Sequence, residues 1–204
     1  MHAGAGPSWV VRENASRLVL LALYLRDRLG IASPTDLPRL RGVAPAPPGV
    51  REVDVQDLLE RQWRSWWMMT VEPEAHPSPT PLALLESYGT DVALPIEGAE
   101  LLAQAITPFA AESRAWAERA AQGYPRASGA RHGDSYRAYA GTIAEHEREV
   151  GRRAHSFELN VEVLPFTERG VWWIGSLTIA VTDALRADPV AFDAAIHPII
   201  AELA

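Results

Sequence analysis

Between His132 and His155 the chain carries three histidines (132, 146 and 155) together with Asp134, Glu145, Glu147 and Glu149. Neutral imidazole and carboxylate are ligands suited to zinc, manganese and iron. The same two groups also exchange protons near neutral pH. His146-Glu147 begins a near match to the H-E-x-x-H pattern of zinc proteases, in which two histidines share one helix face. Val150 stands where the second histidine belongs, and it cannot ligate. His155 follows His146 by nine positions, about 900° at about 100° per residue, which is the far side of any helix that reached it. Geometry therefore excludes the protease pattern.

A looser set survives. His146 and Glu149 are three apart on one helix and share a face, with His132 and Asp134 just before that helix and His155 just after it. These five residues are the candidate ligands for a divalent metal, and His146 with Glu149 is the candidate acid–base pair. Their spacing matches no established metal signature. The competing reading is a half-buried histidine bonded to a carboxylate at the margin of an apolar stripe through Tyr136, Tyr139, Ile143 and Val150.

A second source of chemistry is aromatic. The chain has seven tryptophans, including the neighbours Trp66-Trp67 and Trp172-Trp173. Adjacent residues of a strand point to opposite faces, so Trp172 and Trp173 cannot share one core. One of them needs a second cover, either a helix layer, another subunit or a flat ligand. Trp66 and Trp67 pose the same question. The glycine-rich stretch 123–134 adds Arg126 and Arg131, which on a mobile loop can close over an anionic ligand.

Other chemistries are excluded by what the chain lacks. It has no cysteine, which removes disulfides, iron–sulfur clusters and thiol nucleophiles and suits a reducing cytoplasm. All 19 basic residues are arginine, so pyridoxal phosphate and a Walker-type nucleotide loop, both of which need lysine, are excluded. There is no G-x-S-x-G and no G-x-G-x-x-G. A net charge of -7 with scattered arginines is not the footprint of a nucleic-acid binder. Arginine without lysine, alongside abundant alanine and proline, points to a GC-rich bacterial coding sequence.

The elements that must position these residues are mostly helical. Length suits a single domain over 1–204. Residues 14–29 form a helix capped by Asn14 and Gly30 and apolar on most sides, which marks a central helix or one covered by a partner. Its "LVLLALYL" run is too short to span a bilayer, which needs about 20 residues, and is read as buried rather than as a signal sequence. Prolines make 31–53 and 71–81 extended surface segments. Helices are expected over 54–69, 82–88, 97–122 with a break at Thr107-Pro108, 135–152, and after Asp188-Pro189. Phe157, Leu159, Val161 and Val163 alternate with polar residues in a half-buried strand. "TERG" (167–170) then reads as a turn into a second strand at 171–181, making a hairpin over 155–181. A two-stranded ribbon is marginal in water. It therefore packs on helices, gains a strand, or pairs with a partner.

The expected fold is α+β, mainly helical, with five to six helices and a C-terminal antiparallel hairpin. The first functional reading is a cytoplasmic protein acting by association, as a homo-oligomer or with a protein partner, with no nucleic acid or membrane involved. The alternatives are an enzyme centred on His146 and Glu149 and a small-molecule binder using tryptophan stacking.

Overall fold

The computed structural model describes residues 9–46, 52–127 and 134–204, apart from the side chains of 125–127 and 134–136. In chain order the elements are β1 (Trp9–Asn14), α1 (Arg17–Leu29), α2 (Val53–Val71), β2 (Leu82–Leu84), β3 (Ala93–Pro95), α3 (Glu100–Ile106) and α4 (Ala110–Ala127). They continue as α5 (Asp134–Val150), β4 (Phe157–Leu164), β5 (Val171–Trp173), β6 (Thr178–Thr182), α6 (Asp183–Arg186) and α7 (Pro189–Leu203). The class is α+β with helix in the majority, and the chain groups into two compact units.

Unit 1 comprises β1, the segment Gly123–Leu164 and the segment Arg169–Ala204. Its sheet has the order β1-β4-β6-β5, with β1 and β6 parallel to the central β4 and β5 antiparallel to β6. The C-terminal hairpin is therefore present, but it lies within 171–182. The run 171–181 folds back on itself at Gly175-Ser176, where the amides of Ile174 and Gly175 both donate to the Thr178 carbonyl (2.9 and 3.1 Å). Strand 157–164 pairs beside the hairpin rather than through "TERG". The third strand that the ribbon needed is β4, and β1 adds a fourth beyond it. The expected cap Asn14 ends that strand, and Ser16 caps α1 instead by accepting from the Val19 amide at 3.4 Å.

The alternation seen in the sequence selects the core face. Phe157, Leu159, Val161 and Val163 of β4 pack with Ile179 and Val181 of β6. Tyr139 and Ile143 of α5 and Phe192, Ile196 and Ile200 of α7 lie against them. Each buried aliphatic or aromatic side chain of this kind contributes about 1.5–3 kcal/mol. Asp188 caps α7 by accepting from the Ala191 amide, and Pro189 occupies its first turn. The helix continues through Pro198 to Leu203.

Unit 2 comprises 15–122 and 165–168. Residues Val19–Leu25 of α1 are all buried, which is why no polar face is visible in its sequence. Trp63 and Trp67 of α2 stack at 5.5 Å, and the Trp63 indole donates to the Ala22 carbonyl at 3.1 Å. Gln62 accepts from the Leu102 amide in the first turn of α3. The proline-rich segment after α1 has no regular element, yet Ile31, Leu37 and Leu40 anchor it in the core. Residues 82–84, expected as helix, instead form a ribbon with β3. No helix among the described residues is long and apolar enough to cross a membrane.

Candidate metal centre

α5 and α7 run side by side in the same direction, as three successive rungs show. Tyr139 meets Phe192 edge to face at 5.6 Å, Thr142 Oγ1 donates to Asp193 Oδ1 at 2.6 Å, and the His146 and His197 rings lie 6.5 Å apart. The core row Tyr139, Ile143 on α5 and Phe192, Ile196, Ile200 on α7 fixes this register. It leaves His146 and His197 on adjoining margins of the two apolar stripes. Glu149, one turn on from His146, completes the group. One donor atom from each of His146, Glu149 and His197 lies within 4.8 Å of the other two.

The three differ in exposure. His146 is 6% exposed, and its buried Nε2 has no hydrogen-bond partner. The side chains of His197 and Glu149 are 28% and 56% exposed, and Glu149 Oε2 stands 3.3 Å from His197 Nε2. A buried polar atom without a partner costs about 1–3 kcal/mol, so such atoms call for an explanation. Two imidazoles and a carboxylate are a donor set for zinc-class ions. In a tetrahedron with bonds of about 2.1 Å the donors stand about 3.4 Å apart, close to the Glu149–His197 separation.

The remaining sequence candidates do not join this group. His155 is exposed, and its amide donates to the Ala204 carbonyl at 2.7 Å. α5 ends before it because Gly151 adopts φ +68°, with its amide bonded to the Glu147 carbonyl. Glu147, the glutamate of the near-match motif, is used there too, accepting from the Ala154 amide at 2.9 Å. Asp134 opens α5 twelve residues before His146, about 18 Å away along the axis, too far to share an ion. His132 and Arg131 lie outside the described residues, as do the side chains of Asp134 and Arg126.

The aromatic candidates divide. Trp66 and Trp67 are buried in unit 2 and present no wall to a ligand. Trp172 is half-buried and covers Gly170, where a Cβ would come within 2.9 Å of the indole. Trp173 is the exposed member of its pair. His197 was missed because its partnership spans 51 residues, a distance over which no local pattern operates. The one available signal was that it, like His146, adjoins a core stripe.

A second polar cluster in unit 1 also lay outside the sequence reading. Glu13 of β1 accepts from Tyr124 Oη at 2.8 Å, from Tyr139 Oη at 2.5 Å and from Arg186 Nε at 2.8 Å. The Arg186 guanidinium also lies over the Phe192 ring at 4.5 Å. Burial first, and then the Glu13 charge, push the hydroxyls of Tyr124 and Tyr139 above their ordinary range. These groups are engaged with one another, so the cluster ties β1, α5 and α6 together. In unit 2 a cavity of about 600 Å³ lies over Arg26 and Asp27. Both floor residues are committed to backbone groups of residues 37–40.

The chain matches no protein-family model, and no curated protein or solved structure was found to be similar to it. Its functional reading therefore rests on the geometry of this site.

Proposed function

We propose that this is a metal-dependent protein that binds one divalent transition-metal ion through His146, Glu149 and His197, with its chemistry carried out at that ion. The supporting observation is the convergence of the three donors around a buried imidazole whose Nε2 is unpartnered. The His197–Glu149 pair accounts for two of the groups but leaves the His146 nitrogen unexplained. Elemental analysis tests the reading: purified protein carries, or metal-free protein takes up, one zinc-class ion per chain, and His146→Ala and His197→Ala carry none. A wild-type chain that holds no stoichiometric metal and takes up neither Zn²⁺ nor Co²⁺ would overturn it.

One observation favours a second reading, self-association through unit 2. Leu82 and Leu84 of β2 and Ile96 just after β3 are exposed on a two-stranded ribbon, and exposed apolar strands favour pairing with another chain. The occupant in this reading is a second copy of the chain, in a reducing compartment that suits the lack of cysteine. Light scattering tests it: a dimer that Leu82→Glu converts to monomer supports the reading, and a wild-type monomer at all concentrations sinks it.

A further inference from the structure

Resting on the metal reading above, we infer that the ion has three protein ligands only and keeps a solvent-facing fourth position that takes an anionic oxygen ligand. Two other acidic groups near the site are committed elsewhere. Glu147 holds the Ala154 amide, and Asp193, one turn before His197, holds the Thr142 hydroxyl. Among the described residues no fourth donor joins the group. Structural zinc sites are closed by four protein ligands, whereas catalytic ones keep three and leave a position for water or substrate.

Exposure gives that position a direction. His146 forms the buried base, His197 is intermediate, and Glu149 is more than half exposed, so the uncovered side of the ion faces solvent. Charge gives it a preference. Two neutral imidazoles and one carboxylate leave a divalent ion with a net charge of about +1. A residual positive charge open to water favours hydroxide, carboxylate or phosphoryl oxygen as fourth ligand. The substrate class is accordingly one that presents such an oxygen to the metal.

Cobalt substitution reads both the ion and its fourth position in the full-length chain. Metal-free protein titrated with Co²⁺ develops an intense visible band of four-coordinate cobalt, saturating at one equivalent. Sodium azide then shifts that band saturably, and acetate competes with azide. His197→Ala, with circular dichroism confirming that it folds, develops no such band. A band that azide leaves unmoved overturns the fourth position while sparing the metal reading. Failure of the folded wild-type chain to take up Co²⁺ overturns the metal reading and this inference with it, whereas stoichiometric uptake with only the weak absorption of six-coordinate cobalt overturns this inference alone.

Discussion

His146 and His197 face one another across two parallel helices, 51 residues apart in sequence, with ring planes inclined at 75°. The same offset links Thr142 to Asp193, so the pair is one rung of a ladder set by core packing and not by the histidines themselves. The approach of the two rings is thus supplied by the fold before any ion arrives. A site prepared in this way loses little conformational freedom when it binds.

The first prediction concerns linkage between metal and stability. Zn²⁺ at about 100 times its dissociation constant stabilises the folded chain by about 2.7 kcal/mol. For a chain of this size that raises Tm by about 5–10 °C, at about 2–4 °C per kcal/mol. His197→Ala abolishes the zinc shift yet changes the metal-free Tm little, because its Glu149 partner is largely exposed and such pairs contribute about 0–1 kcal/mol. Differential scanning calorimetry with and without zinc measures both effects. An undiminished zinc shift in His197→Ala would remove this residue from the site.

His146→Leu separates function from stability. The wild-type imidazole leaves a buried nitrogen without a partner in the metal-free protein, which costs about 1–3 kcal/mol. An apolar side chain of similar size relieves that cost, so the metal-free variant is more stable than wild type in urea denaturation while metal uptake is lost. A variant clearly less stable than metal-free wild type would show that the imidazole has a structural partner after all.

How much of this was legible can be followed residue by residue. The alternation of β4, the caps at Gly30 and Asp188, and the break at Thr107-Pro108 are local signals, and each appears where the sequence places it. β1 was lost because Glu13 interrupts the apolar alternation of Trp9 and Val11. Its buried place depends on three donors from distant segments. The hairpin was drawn too wide because Gly175-Ser176 sits inside an apolar run, where a two-residue turn signal was outweighed by "TERG". In the site, His146 and Glu149 were readable from helical spacing, but His197 required the register of α5 against α7. Such registers are set by side-chain packing and leave no mark in sequence spacing.

Glu13 gives the third prediction. Its carboxylate is buried with Arg186, and removing one partner of a buried ion pair costs about 3–5 kcal/mol. Glu13→Ala therefore destabilises unit 1 by about that amount in chemical denaturation. Adding Arg186→Met to Glu13→Ala recovers a large part of the loss, because no buried charge then remains unpaired. Equal instability of the single and double variants would show that the tyrosine hydroxyls, not the arginine, dominate the cluster.

Asp27 performs the comparable task in unit 2. Its two oxygens accept from Arg26 Nε at 2.9 Å and from the Leu40 amide at 2.7 Å. Arg26 in turn donates to the carbonyls of Leu37 and Pro38. Asp27→Ala leaves a buried guanidinium without its counter-charge and a buried amide without its acceptor, which costs about 3–5 kcal/mol. Hydrogen exchange reports the consequence locally, with the Leu40 amide losing protection by at least about 100-fold. Protection unchanged at Leu40 would mean that the segment is held by its apolar anchors alone.

Alkaline pH supplies the last prediction, through the tyrosines. Burial pushes Tyr88 up to about 12, although Ser113 donating to its oxygen pulls the other way, and Tyr124 and Tyr139 are raised by burial and by Glu13. In the unfolded chain each ionises near the ordinary value of about 10. A raised folded pKa means that the neutral hydroxyl is favoured by folding. That stability is complete below about pH 10 and is lost as pH rises toward the folded values. Urea denaturation therefore shows constant tyrosine-linked stability up to about pH 10 and a steep decline beyond it. Tyr88→Phe removes the part of that decline between about pH 10 and 12. It costs about 1 kcal/mol at neutral pH, where the hydroxyl donates to the Ile106 carbonyl at 2.9 Å. A decline equally steep in the variant would assign the alkaline loss to the other raised tyrosines, Tyr24 by burial and Tyr124 and Tyr139 by burial and Glu13, and Tyr139→Phe tests the Glu13 share in turn.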